Sequence, residues 1–166
     1  MRLPFILSLA LLAPLPALAQ TKPPITPTQK LPPANPLPYE DPEAAAVLAP
    51  VNALFAALET GDKAALLAVV YPDGRVTAVS DTAVRQGSFA QFAEGVKPER
   101  AFKERIWNPA IEIDGNIAMV WAPYDVYVAG KFSNCGIDHL DLVREGGSWK
   151  VMNITFSTRA TGCAPK

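Results

Sequence analysis

From Glu43 to Val70 the apolar positions recur with helical spacing, and Val47, Val51, Leu54 and Leu58 fall at i, i+4, i+7 and i+11 on one face. Gly61-Asp62 interrupts the run, and Asp62 is a good N-cap for a second short helix over 64–70. Pro50 lies inside the first segment and should kink it or mark its true start. The period then changes. After the turn Tyr71-Pro72-Asp73-Gly74, residues 75–80 alternate as a first strand. Ser88 caps a third helix that runs to about Val96, with Phe89 and Phe92 on one side. Residues 102–113 return to strand character, broken at Asn108-Pro109, where a bulge or a strand edge is expected. Asp114-Gly115-Asn116 is a hairpin signal, and residues 118–158 read as three more strands turning at Gly130-Lys131 and Gly146-Gly147. The order is helix, helix, strand, helix, then four consecutive antiparallel strands. Such a sheet needs one face covered, and the helices are the material available, so the fold class is α+β.

The chain ahead of this domain has a different pattern. Arg2 is followed by an apolar run to about Leu15 and then by Ala17-Leu18-Ala19, the small-x-small pattern of a signal peptidase site, so residues 1–19 read as a signal peptide cleaved after Ala19. The run is interrupted by Pro4, Pro14 and Pro16 and falls short of the ~20 apolar residues that a spanning helix needs. Residues 20–42 carry prolines at 23, 24, 27, 32, 33, 36, 38 and 42 and few large aliphatics, which makes them a disordered, extended linker. Residues 43–166 form the domain, which is of a size to hold a single core.

Net charge and cysteines narrow the picture further. The formal charge is −1, without a run of Lys and Arg, which argues against nucleic acid or an anionic membrane as partner once the signal is removed. An exported protein of this kind is periplasmic or secreted, where disulfides persist. If Gly146-Gly147 closes a hairpin, Cys135 lies opposite Thr158. A short tail containing Gly162 could then bring Cys163 back to Cys135; the alternative is two unpaired thiols. One histidine and two cysteines supply no metal-ligand cluster, and no phosphate-binding glycine loop is present, so no cofactor is expected. Ser88 and Ser133 lack a partner base at recognisable spacing.

The helix-helix opening with its Gly61-Asp62 break, the Tyr71-Pro72-Asp73-Gly74 turn, Ala118-x-Val120-Trp121, Ser133-Asn134-Cys135-Gly136-Ile137-Asp138 and Trp149-Lys150-Val151 together carry a resemblance. Over about residues 44–160 the chain resembles the nuclear transport factor 2-like (NTF2-like) superfamily, close to its SnoaL-like and lumazine-binding-like small exported members. The resemblance implies a cone: a strongly curved antiparallel sheet wrapped against about three N-terminal helices, with a pocket inside and frequent dimerisation through the outer sheet face. It does not fix a reaction, because the superfamily includes isomerases, dehydratases, cyclases and non-catalytic binders.

Strand parity divides the candidates. A hairpin at Gly146-Gly147 that pairs 144 with 149 puts Asp138, Leu140 and Leu142 on one face with Trp149, Val151, Asn153 and Thr155. The family pattern implies that this tryptophan faces the core. A two-residue turn at Gly130-Lys131 would add Met119, Trp121, Asp125 and Tyr127 to the same face. Asp138, Asn153, Trp121 and Tyr127 are then ligand-binding candidates, with Arg105 and Asp125 at the rim. The opposite face holds His139, Met152, Ile154 and Phe156, the candidate surface for a homodimer.

Asp138 is the candidate catalytic residue, since the superfamily often uses an inner-strand acid as a base and burial would raise its pKa. An aspartate at a strand start can equally serve to accept backbone hydrogen bonds. His139, the only histidine, points away from Asp138 because strand neighbours alternate, so the two do not form a dyad. Three readings follow. The first is a domain that binds a small apolar or aromatic molecule in the cone. The second is a cofactor-independent isomerase or dehydratase-like enzyme, with Asp138 moving a proton and Tyr127 or Asn153 holding an oxyanion. The third is a dimeric interaction module with a vestigial pocket.

Overall fold

The computed structural model describes residues 43–164; the expected signal peptide and linker lie outside the described residues. Helix α1 (Ala44–Thr60) runs through Pro50 and buries Val47, Val51, Leu54 and Leu58. Burying each such side chain stabilises the fold by about 1.5–3 kcal/mol. Gly61 ends the helix in the left-handed region at φ 69°, and its N–H reaches back to the carbonyls of the last turn. Helix α2 (Lys63–Val69) starts where Asp62 Oδ1 accepts from Ala65 N at 2.9 Å. Helix α3 (Phe89–Ala93) is opened by a capping box between Ser88 and Gln91.

The strands are β1 (Arg75–Val79), β2 (Val84–Ser88), β3 (Lys103–Ile106), β4 (Ala110–Asp114), β5 (Ile117–Val128), β6 (Lys131–Glu145) and β7 (Ser148–Ser157). They form one sheet in the order β2-β1-β7-β6-β5-β3, with β4 also paired to β5. The expected antiparallel sheet is in fact mixed, because β1 runs parallel to β7, the last of the described strands, with Val76 beside Ile154. Asn108, at φ 46°, breaks the 102–113 stretch into β3 and β4, and both pair with β5. The β2 strand, not expected from the sequence, is an edge strand paired only to β1.

Two turns set the registers of the long strands. Glu145 pairs with Ser148 across Gly146-Gly147, both glycines at positive φ, and Arg144 pairs with Trp149. Val128 pairs with Lys131 across Ala129-Gly130, one residue earlier than the expected turn. Each hairpin then carries a bulge. In β6, Ser133 is the extra residue between the pairs Tyr127–Phe132 and Val126–Asn134. In β7, Met152 is the extra residue between the pairs Leu142–Val151 and Asp141–Asn153. A bulge inserts one position into a period of two, so every residue beyond it changes face relative to its partner strand.

The second bulge is anchored. Asn153 Oδ1 accepts from Arg75 N at 2.9 Å, and its Nδ2 donates to Asp141 Oδ2 at 3.3 Å. A Cβ added at Gly74 would lie 1.8 Å from Met152 O, so only glycine lets the chain enter β1 this close to the bulge. Asn153→Ala removes the side-chain partner of the Arg75 N–H. It is expected to destabilise the domain by about 1–2 kcal/mol in urea unfolding; an unchanged midpoint would show that the bulge is held by other contacts.

Candidate functional site

Inside the cone is a cavity of about 270 Å³. The helices contribute Leu54, Phe55, Phe89 and Phe92 to its wall, and the strands contribute Glu104, Tyr124, Val126, Asn134, Ile154 and Phe156. The volume is close to the lower end of the ~300–1,000 Å³ usual for small-molecule sites, and the lining is mostly apolar, as such sites require.

The polar groups of this wall gather on β3, β5 and β6. Asp138 is 0% exposed and sits opposite Ala122 on the inner face, and neither of its carboxylate oxygens receives a backbone N–H or a side-chain amide, hydroxyl or basic group. Its interacting neighbour is Glu104, which lines the cavity. Two carboxyl groups can hydrogen-bond only when one holds a proton. Burial pushes the Asp138 carboxyl up to about 7, opposed in part by the hydrogen bond from Glu104. Glu104 is raised well above the usual carboxylate range, first by burial and then by the charge of Asp138 and the hydrogen bond to it. The pair therefore retains a proton at neutral pH, because ionising both groups side by side in an apolar wall is too costly.

Tyr124 stands beside them, its ring edge-on to Phe156 and its Oη 2.9 Å from Ser157 O and 3.0 Å from Asn134 Oδ1. Burial raises its pKa, so the phenol stays protonated and donates. Its position depends on Gly136, directly across the ladder. A Cβ there would lie 1.8 Å from Ser157 O and 2.8 Å from Tyr124 Cε1.

The bulges redistribute the other candidates. Trp121, expected in the cone, lies on the outer face, is 49% exposed and packs against His139 with ring centroids 5.8 Å apart. Asn153, also expected inside, is on the outer face with Asp141. Ile154 and Phe156, expected on a dimer surface, line the cavity instead. The Met152 bulge causes both of these last corrections, and the Ser133 bulge accounts for β5, turning Ala122, Tyr124 and Val126 inward in place of Trp121, Asp125 and Tyr127. Asp125 is 2% exposed and receives both Arg105 Nε (2.9 Å) and Nη2 (2.8 Å), while the guanidinium lies 4.8 Å from the centroid of the Tyr127 ring. Arg105 and Tyr127 border a second, open depression of about 510 Å³ with Glu59 and Lys103, outside the cone. His139 stays outside, with Nε2 3.5 Å from Asp141 Oδ1, and Met152 is the half-buried bulge residue.

Sequence reasoning missed Glu104, which reads as one charge in the run Lys103-Glu104-Arg105. The available signal was its parity with Ile106, an inward position on the same short strand. Cys135 and Cys163 form a disulfide, with Cα atoms 5.8 Å apart. Cys135 lies opposite Arg159 rather than Thr158, because the Met152 bulge shifts the register by one. Among the described residues, no group of three His, Cys, Asp or Glu side chains is placed to hold a metal ion.

Residues 42–157 match the family described as "Putative lumazine-binding". No curated protein matches the chain. Among solved structures, a nuclear transport factor 2-like protein of unknown function from Silicibacter pomeroyi is 21% identical, with a TM-score of 0.54 over 70% of this chain and 96% of that one. One from Shewanella baltica is 16% identical, with a TM-score of 0.56 over 72% and 95%. A third, from Novosphingobium aromaticivorans and with a cystatin-like fold, is 17% identical, with a TM-score of 0.56 over 69% and 80%. At these identities the likeness establishes the fold.

The buried pair makes stability depend on pH. A carboxyl raised on folding binds its proton more tightly in the folded chain. Its contribution is therefore fully present below the unfolded value near ~3.9 and is lost as pH rises through about 7. Relative to wild type, Asp138→Asn should gain stability between about pH 4 and pH 8, by on the order of 1–3 kcal/mol, in urea unfolding at fixed pH. A difference that is constant across this range would rule out Asp138 as a buried, proton-holding acid.

Proposed function

The chain belongs to the family described as "Putative lumazine-binding", within the nuclear transport factor 2-like superfamily, and on that premise we propose that its cone binds a small apolar or aromatic molecule. The observation that carries this reading is the cavity inside the cone, whose wall is built from phenylalanine and aliphatic side chains with a few convergent polar groups. A cofactor-independent isomerase or dehydratase would need an oxyanion donor beside Asp138. Tyr127 and Asn153 lie on the opposite face of the sheet, and the Tyr124 hydroxyl is within donating distance of Ser157 O, so binding without turnover is the better-supported reading.

The site of action we propose is outside the cytoplasm, periplasmic or secreted, after removal of residues 1–19 and with 20–42 as a tether. The disulfide supports this, and no described helix is long and apolar enough to cross a membrane. We also propose a homodimer through the outer sheet face, supported by the exposure of Trp121, Ile117 and Phe132 there or at its margins.

Val126→Trp places a larger side chain in the cavity wall. Saturable binding of one- and two-ring aromatic probes, followed by calorimetry, should weaken about tenfold or more while the fold is retained by circular dichroism. If the wild-type protein binds no such probe, the cone is not a ligand site. Trp121→Glu should shift light scattering from dimer toward monomer; a wild-type protein that is monomeric at all concentrations would exclude this interface.

A further inference from the structure

Among the described residues that line the cone cavity, none is basic. Helices α1 and α3 present Leu54, Phe55, Leu58, Phe89 and Phe92 to the cavity, none of which titrates. From β5 comes the Tyr124 phenol, from β6 the Asn134 amide and Asp138, and from the segment after β7 the Thr158 hydroxyl. The cations of β3 and Arg159 after β7 are committed elsewhere: Arg105 faces outward in its bidentate pair with Asp125, Lys103 is paired with Glu59, and Arg159 Nε donates to Gly162 O. Apart from Glu104, no donor reaches the Asp138 oxygens, although the side chain is completely buried. A carboxyl pair embedded this way costs stability unless something else satisfies it.

We propose that the cone selects an apolar organic cation: a one- or two-ring molecule whose protonated nitrogen meets Glu104, with Asp138 as the buried second acid of the pair. This rests on the ligand-binding reading and names the chemical class of ligand. Three features support it. The charged group in the wall is an acid, so carboxylate and phosphate ligands are repelled and an ammonium is attracted, in surroundings of low dielectric. The rings of Phe55, Phe89, Phe92, Phe102, Tyr124 and Phe156 present π faces or edges to the same space, which suits both an aromatic body and a cationic head. The pair can also release its shared proton when a cation arrives, so the incoming charge is matched within the site.

A neutral ligand that accepts a hydrogen bond from the protonated pair is the competing occupant, and pH separates the two. A cation binds the ionised pair, so its affinity rises as pH is raised through the range in which the pair loses a proton. A neutral acceptor binds the protonated pair, and its affinity falls over the same range.

The test uses three matched probes on the disulfide-bonded protein by calorimetry: 2-naphthylmethylamine, 2-naphthylmethanol and 2-naphthoate. At about pH 8 the amine should bind about tenfold tighter than the alcohol, and the naphthoate should be the weakest; toward about pH 5.5 the preference for the amine should shrink severalfold. Glu104→Gln should cost the amine about tenfold and leave the alcohol within about twofold; retained alcohol binding reports that the cavity is intact. Should that variant not fold, the wild-type pH series decides. Alcohol binding as tight as amine binding at every pH would overturn the inference and leave the ligand-binding reading standing. Binding of none of the probes would overturn both.

Discussion

Two extra residues, Ser133 in β6 and Met152 in β7, determine what the inside of this cone is made of. In a sheet with a period of two, one inserted position exchanges the inner and outer sets of side chains for the remainder of the pair. The Met152 bulge makes Ile154 and Phe156 cavity residues and sends Asn153 outward, where its amide ties β7 to both β1 and β6. The Ser133 bulge sets Tyr124 and Val126 against the helices and leaves Trp121 in solvent. Neither bulge is an ornament of the sheet edge; each lies in one of the two longest hairpins.

The inner surface that results is unusual in its polar content. Most of it is aliphatic and aromatic, and helices α1 and α3 close over it with Leu54, Phe55 and Phe89. The exception is a line of polar groups across three adjacent strands: Glu104 on β3, Tyr124 on β5, and Asn134 and Asp138 on β6. Tyr124 is held by backbone and amide contacts over Gly136, while the two acids are left to each other. The disulfide holds the segment around Cys163 near this line, since Cys135 lies between Asn134 and Gly136.

Much of this architecture was legible in the sequence where the determinants are local. The apolar stripe of α1, the caps at Asp62 and Ser88 and the pairing of Arg144 with Trp149 each follow from a few neighbouring residues. Strand β2 was not legible, because Val84-Arg85-Gln86-Gly87-Ser88 carries a single large apolar residue and the segment is an exposed edge. The bulges were not legible either. Ser133 and Met152 are ordinary strand residues, and at Met152 the segment that fits beside the bulge, Gly74 and Arg75, is distant in sequence. Cavity residues that depend on parity beyond a bulge were therefore misassigned, whereas Leu140, Leu142, Trp149 and Val151, which do not, are buried as the pattern implies.

The order of strands in the sheet also governs how the chain can reach this state. The strand made last, β7, lies between β1 and β6, and the contact of Arg75 with Asn153 spans 78 residues. Helices α1 and α2 and strand β1 must therefore wait for nearly the whole domain before their side of the sheet can form, while β5 and β6 can zip locally from their own turn. Until then α1 presents its apolar stripe without a sheet to cover it, so during synthesis the exposed surface belongs to the beginning of the domain and its protection to the end.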